Sequence, residues 1–165
     1  MKLDQFLEGV FDLHCHVYPE TGLEHEARLD DPGLIEAMRQ AGMGGVILKS
    51  HLWPTVFSHP GSPAVGASLD DMRAAAGMGA YVEFTCLYAL SLRHHIPPRE
   101  TAEIIQLLGA DHCILTTDAF NAWVPPEPEL MRLGIGQLLE CGMSPEDVRR
   151  LTVHNPRKLL GLKEE

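Results

Sequence analysis

The stretch GVFDLHCH, residues 9–16, is a short apolar run that ends in two histidines one residue apart. A run of this length and composition predicts a β-strand buried on both faces. Four later runs have the same character, being rich in Val, Ile, Leu or Phe and carrying polar groups at or near their ends: GGVILKSH (44–51), TVFSH (55–59), AYVEFTC (80–86) and HCILTTD (112–118). The sequence therefore predicts five short buried strands.

Helical stretches separate these runs. Prolines, acidic residues or a serine at their starts and glycines at their ends are typical helix boundaries. The predicted helices are 31–43, 68–79, 97–109, 126–142 and a C-terminal stretch that begins at Ser144. Alternating strands and helices predict an α/β fold with a parallel sheet and right-handed crossovers.

Length and composition limit the function. The 165 residues favour a single domain, 1–165, and the content of 45% hydrophobic and 22% charged residues is that of a globular protein. A net charge of −10 argues against a nucleic-acid partner, because phosphate binding needs clustered basic residues. No apolar stretch approaches the roughly 20 residues of a membrane span, and the start lacks a signal-peptide pattern. Four widely spaced cysteines without a CxxC pair indicate a reduced, cytoplasmic protein.

One interval breaks the alternation of strands and helices. Only seven residues, LWPTVFS, separate His51 from His59, whereas a parallel crossover needs about a dozen or more. Either the two strands are antiparallel, or a βα segment present in relatives is absent near residues 53–55, or residues are missing from this stretch. The sequence leaves the three explanations open.

The predicted strand ends carry the chemistry. In parallel α/β folds the carboxyl ends of the strands form the working face. Each of the five ends has a metal-type ligand or another titratable group: Asp12, His14 and His16; Lys49 and His51; His59; Glu83; and Asp118. We therefore expect the functional site at this face.

The pair His14 and His16 predicts a metal site. Residues i and i+2 on a strand point to the same side, so the two imidazoles can converge on one ion. Imidazole and carboxylate ligands suit zinc, and also manganese or iron, better than calcium or magnesium. A surface-facing or structurally satisfied pair would have the same spacing, but Asp118 and His59 on other strand ends favour a metal.

The remaining candidates each have a structural alternative. Asp118 could be a ligand and a proton acceptor for metal-bound water, or a turn residue. His51 and His59 could bind the metal directly, or they could contact the residues that bind it. Lys49 is a catalytic candidate, because a lysine is costly to bury unless it is paired or modified, and it could instead pair with Glu83.

Substrate-binding candidates complete the prediction. Glu83 lies within AYVEFTC, and Trp53 and Trp123 follow strand ends, where indoles could line a pocket for an apolar part of the substrate. Packing of loops is the alternative role for the two tryptophans.

Three motifs together resemble the amidohydrolase superfamily: DLHCH at 12–16, TTD at 116–118 and NPRKLLGL at 155–162. The resemblance implies a TIM-like (β/α) barrel, incomplete or distorted here, with one or two metal ions at the strand carboxyl ends. His14 and His16 match the ligands of the family's first strand, Asp118 matches its last-strand acid, and His59 would match a ligand histidine. A complete barrel takes about 250 residues. The strands in the middle of the family's barrel therefore have no counterpart in this shorter sequence.

The resemblance implies a metal-dependent hydrolase, in which metal-bound hydroxide attacks a small amide, lactone or ester. A metal-dependent phosphoesterase is one alternative, and a truncated barrel that binds metal or ligand without turnover is another. The expected partner is a small molecule. A homo-oligomer is expected if an open barrel exposes strand edges.

Overall fold

The protein is described by a computed structural model that covers residues 3–15, 31–48, 56–61, 65–89, 96–119 and 124–163. Within these ranges the order of strands and helices matches the order predicted from the sequence. The strands are β1 (Phe11–Cys15), β2 (Gly45–Leu48), β3 (Val56–Phe57), β4 (Tyr81–Thr85) and β5 (Cys113–Thr116). All five lie within the apolar runs that predicted them.

The helices begin and end close to the predicted boundaries. They are α1 (Asp31–Gln40), α2 (Leu69–Gly77), α3 (Pro98–Leu108), α4 (Glu127–Glu140), α5 (Pro145–Arg149) and α6 (Asn155–Leu159). Ser68 forms a capping box at the start of α2, since its hydroxyl accepts from the Asp71 amide at 3.2 Å and the Asp71 carboxylate accepts from the Ser68 amide at 2.9 Å. Ser144 accepts from the Asp147 amide at 3.0 Å in the same way.

The strands form two parallel sheets instead of one. β1 pairs with β2, and β4 lies between β3 and β5. Among the described residues, β2 and β3 are not paired with each other, so they do not form the antiparallel pair that the short interval allowed. β1 contacts β5, which places the first and last strands side by side. The fold is mixed α/β with parallel strands, and a closed barrel is not formed by the described strands.

The two faces of the sheet that contains β4 and β5 differ in polarity. Glu83 pairs with Ile114, and Thr85 with Thr116, so these four side chains share one face. The opposite face carries Val82, Phe84, Cys113 and Leu115, which are buried in the hydrophobic core with residues of α2, α3 and α4. The apolar face packs against these helices, whereas the other face carries the polar side chains of Glu83, Thr85 and Thr116.

The C-terminal segment is anchored to the start of β5. A π-helical turn, Arg150–His154, joins α5 to α6. The side-chain amide of Asn155 donates to the carbonyl oxygens of Ala110 and Cys113, both at 2.7 Å. His154 is exposed at the end of the π turn. Within the described ranges, no helix is long and apolar enough to cross a membrane.

Candidate functional site

Asp12 joins the first strand to the last. It lies in β1 with 0% of its surface exposed. Its carboxylate accepts a hydrogen bond from the Thr117 amide at 3.2 Å and a second, short one from the Thr117 hydroxyl. Because both donors belong to the residue that precedes Asp118, Asp12 fixes the chain where β5 ends.

Thr117 and Asp118 form a tight turn after β5. The Thr117 hydroxyl accepts from the Ala119 amide at 3.3 Å while it donates to Asp12. Asp118 has φ +53°, in the left-handed region that residues other than glycine seldom adopt. The turn therefore holds Asp118 in a conformation that costs about 1–3 kcal/mol, and strain of this kind is concentrated at functional sites.

His59 follows β3 and meets Asp118. Its backbone also has a positive φ, +55°. Nδ1 of His59 lies 3.9 Å from Oδ2 of Asp118, and the side chains are 24% and 7% exposed. Two strained residues from different strands therefore face each other at the carboxyl ends of the sheet, as the sequence predicted for this edge.

Glu83 lies in the middle of β4, not at its end, which corrects the position suggested by the sequence. It is 2% exposed, and its Oε1 accepts a hydrogen bond from the Thr116 hydroxyl at 2.9 Å. The hydrogen bond gives the carboxylate a fixed position on the polar face. Lys49, which the sequence offered as an ion-pair partner of Glu83, lies outside the described ranges.

The donor set at His59 and Asp118 fits a divalent metal. Imidazole nitrogen and carboxylate oxygen are typical zinc ligands, with bond lengths of about 2.0–2.2 Å. Two ligand atoms that each lie about 2.1 Å from one ion can be at most about 4.2 Å apart, and the observed separation is 3.9 Å. The pair could therefore bind one ion together. Within the described residues, no group of three or more potential ligands converges.

The other predicted site residues are only partly described. His14 lies in β1, two residues after Asp12, but its side chain is not among the described groups. Five predicted residues lie outside the described ranges: His16, Lys49, His51, Trp53 and Trp123. Their roles remain predictions.

A small cavity lies next to this site. It has a volume of about 30 Å³ and is lined by His59 and Glu83 together with residues of α3 and α4. Two of its lining residues were missed by sequence reasoning, Thr85 and Gln137. Thr85 lies on the same face of β4 as Glu83, because the two residues are two positions apart. Gln137 is a polar residue within the apolar stretch LGIGQLL of α4. These two patterns are the signals that could have identified them.

Burial favours the neutral thiol at two cysteines of the core, Cys86 and Cys113. Burial raises the pKa of the Cys86 thiol well above its usual range, and the Asp12 carboxylate raises it further. Burial raises the pKa of Cys113 to about 12. Both thiols therefore stay protonated near neutral pH, and neither is in a disulfide in this structure.

Comparisons with known proteins give distant similarities. A "Family of unknown function (DUF6282)" matches residues 9–58, fewer than half of the chain. The structure is similar to the crystal structure of N-acetyl-D-glucosamine-6-phosphate deacetylase from Mycobacterium smegmatis, with 21% sequence identity and a TM-score of 0.38. This match covers 84% of the chain but 44% of the deacetylase chain, so the protein spans less than half of its length. No curated protein matches the sequence.

Proposed function

We propose that the protein is a metal-dependent hydrolase of the amidohydrolase type, acting on a small amide, lactone or ester. The observation that carries this proposal is the pair His59 and Asp118, whose side chains approach to 3.9 Å beyond the ends of β3 and β5. Both backbones are held at positive φ, so the fold accepts strain to bring these two groups together.

His59 and Asp118 would hold the ion with His14, His16 and His51. When bound, a zinc, manganese or iron ion supplies Lewis acidity, which polarises a carbonyl and acidifies water. The first strand contributes His14 two residues after Asp12, and Asp12 is already bonded to the turn that carries Asp118. The first and last strands would therefore supply ligands to the same edge.

The chain's own groups would perform the proton transfer. Asp118 takes a proton from the attacking water and returns it to the leaving group, as a carboxylate at this position can do. Asp12 keeps Asp118 in place through Thr117, and Thr116 keeps Glu83 in place for substrate binding. Lys49 stays a catalytic candidate on the sequence argument alone.

Metal content tests the proposal. We expect the full chain, purified without chelator, to contain a divalent transition metal or to bind added zinc at about one ion per chain or more. His59→Ala should lower the metal content, because it removes a ligand. His154→Ala is the matched control, because His154 is exposed at the end of the π turn. The function is wrong if the unaltered protein contains no transition metal and does not bind zinc.

A substrate panel then separates the chemical classes. Turnover of small amides, lactones or esters by the metal-loaded protein would support the proposal. Turnover of phosphate esters alone would indicate a phosphoesterase, and metal binding without turnover of either class would indicate a binding protein; both results would contradict the proposed reaction.

A further inference from the structure

Thr117 connects three strand ends, and all of its polar atoms have partners. Its amide and its hydroxyl both donate to the Asp12 carboxylate on β1, the amide at 3.2 Å. Its carbonyl oxygen accepts from the amide of Leu87, which follows β4, at 3.1 Å. Its hydroxyl also accepts from the Ala119 amide at 3.3 Å. Because Thr117 has 0% of its surface exposed, water does not compete for these bonds.

The hydroxyl of Thr117 closes the turn that contains Asp118. A hydroxyl that bonds to the amide two residues later forms a compact turn, as threonine and serine side chains often do. Here that amide belongs to Ala119, so Asp118 is the residue enclosed, and its φ is +53°. The same oxygen donates to Asp12 and thereby ties the turn to β1. Both bonds meet at one atom, Oγ1 of Thr117, and the backbone has no group that could replace it.

The bond between Leu87 and Thr117 aligns the turn with the sheet that also carries His59. It continues the pairing of β4 with β5 one residue beyond the end of β5. On its other side β4 pairs with β3, and His59 lies two residues after β3. Thr117 therefore fixes Asp118 relative to this sheet, in which Nδ1 of His59 and Oδ2 of Asp118 are 3.9 Å apart.

We propose that Thr117, which is not one of the proposed ligands, is the positioning residue that holds Asp118 in the conformation facing His59 and thereby sets the metal affinity of the site. The apparent affinity of a ligand falls with the fraction of molecules that have the binding conformation. The inference rests on the proposed function for its metal, and it adds that the affinity depends on a hydroxyl group outside the ligand set.

The zinc affinity of the full chain tests this role. Thr117→Val keeps the shape of the side chain and both backbone hydrogen bonds but removes the two bonds of the hydroxyl. We expect it to weaken zinc binding about ten- to a hundredfold, as the loss of two hydrogen bonds does. Thr117→Ser keeps the hydroxyl and should bind zinc as tightly as the unaltered protein. Titration against a competing chromophoric chelator measures both affinities.

Thr152→Val is the matched control for the loss of a buried hydroxyl. Thr152 is 1% exposed, and its hydroxyl donates to the Val148 carbonyl at 2.8 Å within the C-terminal helical segment. We expect this variant to be less stable in urea denaturation but to bind zinc with unchanged affinity. An equal loss of zinc affinity in the control would show that the effect is not specific to Thr117, and it would contradict the positioning role.

The backbone of Asp118 gives a second readout that needs no metal. In the metal-free, isotopically labelled chain, NMR coupling constants should show positive φ at Asp118 in the unaltered protein and in Thr117→Ser. In Thr117→Val we expect the positive φ to be lost, because the turn is no longer closed.

The inference is wrong if Thr117→Val binds zinc as tightly as the unaltered protein, or if Thr117→Ser does not restore the affinity. Should Thr117→Val fail to fold, Asp12→Asn decides, because it weakens the same contact from the β1 side and should also lower the zinc affinity. Failure of the inference and failure of the proposed function are distinguishable. An unaltered protein that takes up no metal would remove the hydrolase, while the φ of Asp118 would still show whether Thr117 positions it. Zinc uptake that Thr117→Val leaves unchanged would remove the positioning role alone.

Discussion

Asp118 and His59 show how single residues are held at this site. Both have positive φ, a region in which the side chain of any residue other than glycine crowds the backbone. At Asp118 the conformation is maintained by Thr117, whose hydroxyl bonds to Asp12 on one side and to the Ala119 amide on the other. A carboxylate and an imidazole held in this way need little rearrangement to bind an ion.

Asp118→Asn should lower turnover far more than it lowers metal binding. The amide keeps the size and one ligand oxygen of the carboxylate but cannot accept the proton. We expect the rate to fall by about two to four powers of ten, the usual contribution of general acid–base catalysis, with metal still at least partly bound. Steady-state kinetics and metal analysis of the same sample measure both. An unchanged rate with metal bound would make Asp118 a turn residue.

Asp12→Ala should destabilise the whole protein. It leaves the Thr117 amide and hydroxyl without their acceptor in a buried position, which costs about 2–4 kcal/mol in the free energy of unfolding. Urea denaturation measures the loss. Asp70→Ala is the control, because Asp70 is exposed and its ion pair with Arg73 contributes about 0–1 kcal/mol. A loss equal to that of the control would show that the contact between β1 and β5 is not important for stability.

At the scale of elements, α4 forms one wall of the cavity because it packs closely on the segment after β4. Its buried residues recur at helical spacing: Leu130, Met131, Gly134, Ile135 and Leu138. Glycine stands at the point of closest approach, where Sγ of Cys86 occupies the space of a Cβ. Gln137 and Leu138 of the same helix also line the cavity.

Gly134→Ala tests this packing. The added methyl group would meet Sγ of Cys86 at 2.3 Å, so α4 must shift. We expect a loss of about 1–3 kcal/mol in the free energy of unfolding, the usual cost of overpacking a core. Gly77→Ala in α2 is the control, because a Cβ there meets nothing within 4 Å and stability should be unchanged or slightly higher.

The double variant Gly134→Ala with Cys86→Ala identifies the cause. Removing the sulfur makes room for the methyl group, so the two changes together should cost less than the sum of their separate costs. Additive losses in denaturant unfolding would show that the close contact between these two residues does not limit the approach of α4.

At the scale of the whole molecule, the sheets leave two strands with one neighbour each. β2 pairs with β1, β3 pairs with β4, and β1 lies beside β5, so among the described strands β2 and β3 end the arrangement. The interval between them contains residues 53–55, where a missing βα segment is one of the explanations that the sequence leaves open; these residues lie outside the described ranges. Strand edges with free backbone groups favour pairing with another chain.

We therefore expect the protein to form a homo-oligomer in solution. Light scattering coupled to size-exclusion chromatography should give a mass of at least twice the 18.2 kDa of one chain, because association covers the edges of β2 and β3. Intact mass spectrometry of the same sample verifies the chain length. A well-folded monomer of 18.2 kDa would contradict both the oligomer and the missing segment.

Local patterns in the sequence determined the strands and helices. All five strands lie within the predicted runs, and Ser68 and Ser144 cap α2 and α5, because hydrophobic period and capping depend on residues close in the chain. The edge at which Asp118 and His59 meet also followed from the sequence, since parallel strands bring their carboxyl ends together.

Contacts between distant residues were decided by the tertiary structure. The hydrogen bonds from Thr117 to Asp12 join residues 105 positions apart, and no local pattern encodes such a partner. The division into two sheets, the place of Glu83 inside β4 and the cavity lined by residues of β4, α3 and α4 depend equally on how the elements pack. The residue types at the site are properties of the sequence, whereas the distances between them exist only once strands and helices are packed against each other.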